Sequence, residues 1–156
     1  MDDSLNSLVS CEKLALSSNI IERMIALPKL KNIRILSIGR NKIKKIAGLD
    51  DIGQTLEQLW ISYNELDKFD GLSKCVKLHT IFATNNKLKN WDEVAKLSQL
   101  PELKSVLLAD NAIYSDRIWE ENAPMVVKRV PQLEMIESRM ISAGIRKQAE
   151  QLEEEE

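Results

Sequence analysis

The 156-residue chain has few of the residues that supply covalent cross-links or reactive groups. It contains two Cys, one His, five Gly, four Pro and seven aromatic residues. Two Cys cannot form a disulfide framework or a Cys cluster for zinc, and the sequence has no Gly-rich phosphate loop and no nucleophile elbow. No apolar run approaches the ~18 residues that cross a bilayer. We therefore expect a fold that is held by its apolar core, with no metal, no cofactor and no membrane partner.

Charge is nearly balanced but unevenly placed along the chain. The net charge is -2, and five of the 24 acidic residues are Glu150 and Glu153–Glu156, so residues 1–149 carry 22 basic against 19 acidic residues. A dedicated nucleic-acid binder usually has a strongly basic domain, so no nucleic-acid partner is expected. The start, Met1–Ser4, has neither a basic nor an apolar leader segment. This predicts an intracellular protein.

What the chain does have is a regular aliphatic pattern. It contains 21 Leu and 16 Ile, and many of them recur around five Asn residues spaced by 22, 23, 22 and 25 positions. Each Asn is the N of the pattern L-x-x-L-x-L-x-x-N-x-L, which is typical of leucine-rich repeats. The five residues are Asn19, Asn41, Asn64, Asn86 and Asn111. We expect this Asn ladder to satisfy backbone groups where the chain leaves the sheet.

The repeat predicts an α/β fold of the leucine-rich-repeat solenoid class. Its L-x-L segments form a short parallel concave sheet of about five to six strands, helical turns form the convex side, and both ends are capped. The predicted division is a repeat domain with caps over 1–137, followed by an appended helix and acidic tail over 138–156. The repeats are expected around 11–32, 33–55, 56–77, 78–102 and 103–125, with the C-terminal cap at 125–137.

The variable position of each L-x-L strand points out of the sheet, where solenoids usually bind partners. Strands lie about 5 Å apart, so neighbouring outward side chains touch. Trp60, Phe82 and Leu107 then form one apolar stripe that approaches the ~300–600 Å² of a functional patch. A protein-binding face is the favoured interpretation, and a terminal segment folding over the stripe, or tolerated exposure, is the alternative. The candidate protein-binding residues are Ile35, Ser37, Gln58, Trp60, Phe82 and Leu107.

A second candidate surface is basic. Arg40, Lys42, Lys44 and Lys45 surround Asn41 and would attract an acidic partner such as a tubulin tail. Solubility of an exposed edge is the alternative.

The potentially reactive residues fit structural positions. Cys11 and Cys75 occupy repeat positions that are aliphatic elsewhere, and His79 occupies a variable polar position. We expect no enzyme.

Two segments carry a more specific resemblance. Ile35–Ile46 and Thr55–Asn64, above all the string Leu59-Trp60-Ile61-Ser62-Tyr63-Asn64, resemble the leucine-rich-repeat light chain 1 family of axonemal outer-arm dynein. The resemblance extends from Met1 to about Ile136. It implies a non-catalytic subunit of cilia and flagella that binds the dynein heavy chain near its microtubule-binding stalk tip and modulates the microtubule contact. The matching binding face would hold Ser37, Trp60, Phe82 and Leu107.

Departures from the family pattern lie towards the C-terminus. The fifth repeat has Asp110-Asn111-Ala112 where relatives usually have Gly-Asn-Pro, and the cap has Ile136-Glu137-Ser138 in place of Leu-Asp-Gly. A regulatory repeat adaptor of another complex, such as a phosphatase regulator or a spliceosomal scaffold, is the alternative function, because fold alone does not decide function. In either case the chain alone is expected to be monomeric.

Overall fold

A computed structural model describes residues 1–152, and the predicted acidic tail at Glu153–Glu156 lies outside the described residues. Seven strands follow one another in a single sheet, in chain order. The first six strands pair in parallel and the seventh is antiparallel to the sixth. The leucine-rich-repeat solenoid is therefore confirmed, with one strand more than predicted. The strands are β1 (Lys13–Ala15), β2 (Ile35–Ser37), β3 (Gln58–Trp60), β4 (Thr80–Phe82), β5 (Ser105–Leu107), β6 (Met135–Ile136) and β7 (Arg139–Met140).

The convex side is built mostly from turns. Its α-helices are α1 (Trp91–Ala95), α2 (Trp119–Arg129) and α3 (Ala143–Gln151). Short 3-10 turns cover Asp3–Ser7, Asp50–Ile52, Lys96–Gln99 and Ala112–Tyr114. None of the helices among residues 1–152 combines the length and apolar character needed to span a bilayer.

The core runs without interruption between the sheet and the convex turns. The central residue of each of β1 to β5 points inward and is buried, while both flanking positions face outward. Phe69 fills a core position on the convex side and is fully buried. Each repeat thus buries its aliphatic residues against its two neighbours, which explains why the sequence needs so many Leu and Ile and so few rings.

The Asn ladder joins each repeat to the one before it. Asn64 donates from Nδ2 to the carbonyls of Ile38 and Ile61 (3.0 and 3.1 Å), and its Oδ1 accepts the Ile43 N–H at 3.0 Å. Asn41, Asn86 and Asn111 make equivalent bonds and are buried. Asn19 differs from this pattern: it is exposed, because within residues 1–152 no strand pairs with β1 on the side of the first repeat.

The residue before each ladder Asn adopts a left-handed backbone. These residues all have φ between 54° and 60°, although none is Gly. The same tight corner is therefore built five times at a local conformational cost. The residues are Ser18, Arg40, Tyr63, Asn85 and Asp110.

The C-terminal end departs most from the sequence-based expectation. Helix α2 begins at Trp119, six residues before the predicted cap at 125. Glu137 and Ser138 form a two-residue turn with φ of 53° and 62°, which joins β6 to β7 as a hairpin. The predicted boundary between 137 and 138 passes through this turn, so the chain after it continues the sheet.

Helix α3 is held against α2 and the loop that follows it. Ile145 and Ala149 are buried in this contact. The Arg146 guanidinium donates to the carbonyls of Pro131 and Leu133, at 3.0 and 2.7 Å. The helix therefore covers the last apolar layer of the solenoid.

Candidate functional site

The register of the sheet places the predicted outward residues in one column. Ser37 pairs with Trp60, Trp60 with Phe82, and Phe82 with Leu107. Trp60, Phe82 and Leu107 are each partly exposed. This outward side of the sheet, here called the concave face, therefore carries the apolar stripe that the repeat spacing predicts. Its binding role stays a prediction.

Trp60 is held on three sides. Its ring stacks on Phe82 with centroids 5.8 Å apart and planes at 21°. Its Nε1 donates to Gln58 Oε1 at 2.9 Å, and Lys13 Nζ lies 4.6 Å from the ring centroid. An aromatic ring that is already oriented loses little side-chain freedom when a partner covers it. Gln58 thus positions Trp60.

The other predicted concave residues differ in exposure. Ile35 is half-buried beside the central column, but Ser37 is only 8% exposed. Ser37 Oγ lies 3.0 Å from Ser17 Oγ, and this bond holds the short side chain at the floor of the face. The prediction that Ser37 contributes contact surface is not supported by its burial.

Two methionines extend the concave face and were missed from sequence. Met135 pairs with Ser105 on one side and with Met140 on the other. Directly paired residues point to the same side of a sheet, and Met140 is 67% exposed. The hairpin that places them was hard to recognise, because its turn lacks the Gly that marks most two-residue turns.

Glu137 closes the end of the central column. Its carboxylate accepts hydrogen bonds from the Leu108 N–H and from the Tyr114 hydroxyl (the latter 3.2 Å). In inner repeats a strand carbonyl accepts the equivalent N–H, as Trp60 does from Ile38. Burial raises the pKa of Glu137 above its usual value, and burial also raises the pKa of Tyr114. Because β6 ends at Ile136, the Glu137 carboxylate thus takes the place of the strand carbonyl that accepts this N–H in inner repeats.

The predicted basic edge divides into two parts. Lys42, Lys44 and Lys45 line an open cavity of about 700 Å³, together with Arg23, which the sequence did not single out. Arg40 instead lies over the Tyr63 ring, with its guanidinium carbon 4.2 Å from the centroid. Glu22 and Glu65 also line the cavity. Within residues 1–152, however, no carboxylate lies within 4.0 Å of the side-chain nitrogens of the four cavity cations, which are Arg23, Lys42, Lys44 and Lys45.

The residues with potential chemistry have structural surroundings. Cys75 is fully buried, and burial raises its pKa to about 11, so its thiol stays protonated. His79 Nδ1 lies 2.7 Å from Oγ1 of Thr80, the neighbouring residue, at which β4 begins. In the part of the chain that the structure describes, no three His, Cys, Asp or Glu side chains form a possible metal site.

Comparison with known proteins finds relatives from several organisms that carry the same name. The chain is 44% identical over 154 residues to "Dynein axonemal light chain 1" of Chlamydomonas reinhardtii, covering 96% of this chain and 77% of that protein. It is 43% identical over 145 residues to the proteins of the same name from Danio rerio and Homo sapiens, covering 90–92% of this chain and 74–76% of theirs. No protein-family model matches the chain.

Solved structures with a similar fold are leucine-rich-repeat proteins. A chain of the Drosophila melanogaster SNF/U2A' complex superposes with a TM-score of 0.78 at 19% identity, covering 97% of this chain and 90% of that one. An internalin C2 from Listeria monocytogenes superposes with a TM-score of 0.67 at 26% identity, over 85% of this chain and 54% of that one. At 19% identity, the first likeness concerns the fold alone.

Proposed function

The chain belongs to the axonemal dynein light chain 1 family, and from this we propose that it is a non-catalytic light chain of an axonemal dynein. Its place is then the axoneme of a cilium or flagellum. Its partner is the outer-arm dynein heavy chain, bound near the microtubule-binding stalk tip. The light chain changes the affinity or orientation of that tip on the microtubule by adding contacts, with no chemistry of its own.

The observation that carries this proposal is the Trp60–Phe82 stack on the concave face. Both rings are partly exposed, and Leu107 extends the apolar surface across a third strand. Large aromatic side chains held in one orientation are the residues that dominate binding energy at protein interfaces. The heavy chain is therefore expected to cover this stripe.

The sequence-based alternative, an adaptor in a phosphatase or spliceosomal complex, has weaker support. Its basis is the shared solenoid, and the likeness to the SNF/U2A' chain is a likeness of fold at 19% identity. The 43–44% identities point to dynein instead.

Replacing Trp60 tests the proposed binding face. Trp60→Ala removes the stacked ring and should weaken binding to the dynein heavy chain at least about fivefold, since an anchoring aromatic contributes more than about 1 kcal/mol. Affinity would be measured by a quantitative pull-down with purified heavy chain that includes the stalk. Tyr63→Ala is the matched control, because Tyr63 is an exposed aromatic outside the stripe.

Both variants should keep the circular dichroism spectrum and unfolding midpoint of a folded chain. A Trp60→Ala protein that is folded and binds as tightly as the wild type would contradict the proposed face. Modulation is tested separately, by comparing microtubule binding of the heavy chain with and without the light chain. Equal affinities, rates and orientation on the microtubule would leave a light chain that binds without modulating.

A further inference from the structure

The outward positions of the concave face are almost free of charge. Within residues 1–152, Lys13 is the one charged residue among the outward positions of β1 to β6. The other outward side chains of these strands are apolar, or polar and neutral. The core of a protein interface is usually depleted of charge, and charges that do occur there meet a complementary group on the partner. Lys13 therefore carries information about the partner.

The side chain of Lys13 reaches into the face. Lys13 lies on β1, and Trp60 lies two strands away on β3. Lys13 Nζ is nevertheless 4.6 Å from the centroid of the Trp60 ring. The side chain therefore crosses β2, where Ser37, the residue that pairs with Trp60, is short and buried. Its ammonium thus lies beside the apolar stripe.

Trp60 holds this ammonium from the side opposite its aromatic neighbour. The ring stacks on Phe82 of β4, whereas Lys13 comes from β1, and these two strands lie on opposite sides of β3. The Nε1 of Trp60 already donates to Gln58. The indole therefore has no free donor for a partner. The polar group that a partner meets next to Trp60 is the Lys13 ammonium.

The charge of Lys13 is not paired in the described part of the chain. Among residues 1–152, no carboxylate lies within 4.0 Å of its Nζ. Glu57, the residue before Gln58, is paired with Arg34 instead. Lys13 is exposed, so water solvates its ammonium in the free chain. A partner that covers Trp60 removes part of this water, and an uncompensated charge at that place would oppose binding.

We propose that Lys13 is a specificity residue of the concave face, and that the partner segment covering Trp60 and Phe82 carries an Asp or Glu that pairs with it. The carboxylate of that residue accepts a hydrogen bond from Lys13 Nζ. The partner surface is then apolar, with one acidic side chain beside the part that covers Trp60. An apolar or basic residue at that place would leave Lys13 unpaired, so this charge discriminates between partners.

This inference rests on the proposed function, in which the dynein heavy chain is the partner on the concave face. It adds the chemistry of one residue that the heavy chain has to present. The pairing is separate from the basic cavity, because Lys13 is not among the residues that line that cavity.

Carbodiimide cross-linking of the complex tests the pairing. The reagent couples a lysine amine to a carboxylate in contact with it as an amide, and takes up the water that is released. The complex contains the whole chain and purified heavy chain that includes the stalk, and mass spectrometry locates the linked residues. We expect a link between Lys13 Nζ and an Asp or Glu of the heavy chain. Links that form at other lysines of this chain and not at Lys13 would overturn the proposal.

Substitutions at Lys13 separate its charge from its packing on Trp60. Lys13→Met keeps an unbranched side chain over the ring and removes the ammonium, so it should weaken heavy-chain binding about tenfold. Lys13→Glu reverses the charge and should weaken binding further. Lys13→Arg keeps the charge and should bind within about twofold of the wild type, while it removes the amine that forms the cross-link. Lys74→Met, at an exposed lysine outside the concave face, is the matched control and should leave binding unchanged.

Trp60→Ala distinguishes failure of this inference from failure of the proposed function. If Trp60→Ala weakens heavy-chain binding and Lys13→Met does not, the face binds the heavy chain and Lys13 only covers the ring. If the wild type does not bind the heavy chain, both proposals are wrong. Circular dichroism should show a folded chain for every Lys13 variant, because this side chain is exposed.

Discussion

At the scale of single residues, the Asn ladder shows how one side chain fixes the period of the fold. An amide group combines a donor and an acceptor, so each inner Asn bonds backbone groups in its own repeat and in the preceding one. A carboxylate lacks the donor, and an aliphatic side chain lacks both. The sequence therefore has to keep Asn at this position even where the flanking residues vary.

Removing an inner ladder residue should destabilise the fold far more than removing the first. Asn64→Ala leaves the buried Ile43 N–H and the carbonyls of Ile38 and Ile61 without this partner, and should lower the free energy of unfolding by about 2–4 kcal/mol. Asn19→Ala exposes its freed groups to water and should cost less than about 1 kcal/mol. Urea unfolding of both variants measures the difference. Equal costs would mean that burial does not determine the ladder's contribution.

Glu137 should make stability depend on pH. Burial raises the pKa of its carboxyl in the folded state, so the folded chain holds the proton more tightly than the unfolded chain does. Its contribution to stability is present below the usual value of 4.5 and is lost as pH rises through the raised pKa. Glu137→Gln keeps a carbonyl acceptor for Leu108 and removes the titration.

The measurement is urea unfolding of both proteins at several pH values. Relative to Glu137→Gln, the wild type should lose stability as pH rises from about 4 towards neutrality. Two parallel curves would show that the carboxyl titrates alike in the folded and unfolded chains.

Sequence predicts part of the candidate site at this scale. Trp60, Phe82 and Leu107 follow from repeat spacing, because the register of a parallel sheet carries a fixed period directly into space. The burial of Ser37 and the grouping of Arg23 with Lys44 do not follow, because they depend on side-chain directions across repeats.

At the scale of elements, local pattern predicts the strands well and the C-terminal end poorly. Helix α2 begins at Trp119, and the N–H of its cap residue, Ile118, donates to Glu121 Oε2 at 3.1 Å. Because an aliphatic residue is not a typical helix cap, the sequence does not indicate that a helix begins here. The β6–β7 hairpin turns through Glu137 and Ser138 instead of Asn-Gly or Asp-Gly. In both places tertiary packing decides a structure that local propensity does not favour.

Two glycines should respond oppositely to Ala. Gly48 has φ of +75°, and a Cβ there would lie 2.3 Å from the Ile25 carbonyl oxygen. Gly48→Ala should therefore destabilise the protein by more than about 2 kcal/mol. At Gly144, in α3, a Cβ would make only an ordinary contact, 3.7 Å from Ser142 Oγ, so Gly144→Ala should stabilise by about 0.5–1 kcal/mol through helix propensity. Thermal and urea unfolding give both values, and a neutral Gly48→Ala would contradict the close approach of neighbouring repeats.

At the scale of the whole molecule, apolar and charged surfaces are separate. The concave face holds the aromatic stripe, while the basic cavity is lined by Arg23, Lys42, Lys44 and Lys45. One solenoid thus presents two kinds of surface, which differ in how they respond to salt.

Charge reversal on the basic cavity should change salt dependence. If this surface meets acidic tubulin tails, microtubule binding should fall several-fold between low and physiological salt, as screening shortens to about 8 Å. Lys44→Glu combined with Lys45→Glu should weaken microtubule binding at low salt and make that binding less dependent on salt concentration. Co-sedimentation with microtubules would measure both effects. Lys74→Glu with Lys77→Glu, at exposed lysines outside the cavity, is the control. Salt-independent binding by the wild type would leave solubility as the role of these lysines.

The direction of the sheet hydrogen bonds has a mechanical consequence for a subunit attached to a motor. These bonds connect one repeat to the next, so they run along the length of the solenoid. Tension between its two ends stretches every bond along its own axis, and the rows separate one at a time from the end repeats. A partner bound along the stripe from Trp60 to Leu107 would lie across several strands. It would bridge those rows of hydrogen bonds and make the molecule stiffer under tension than it is alone.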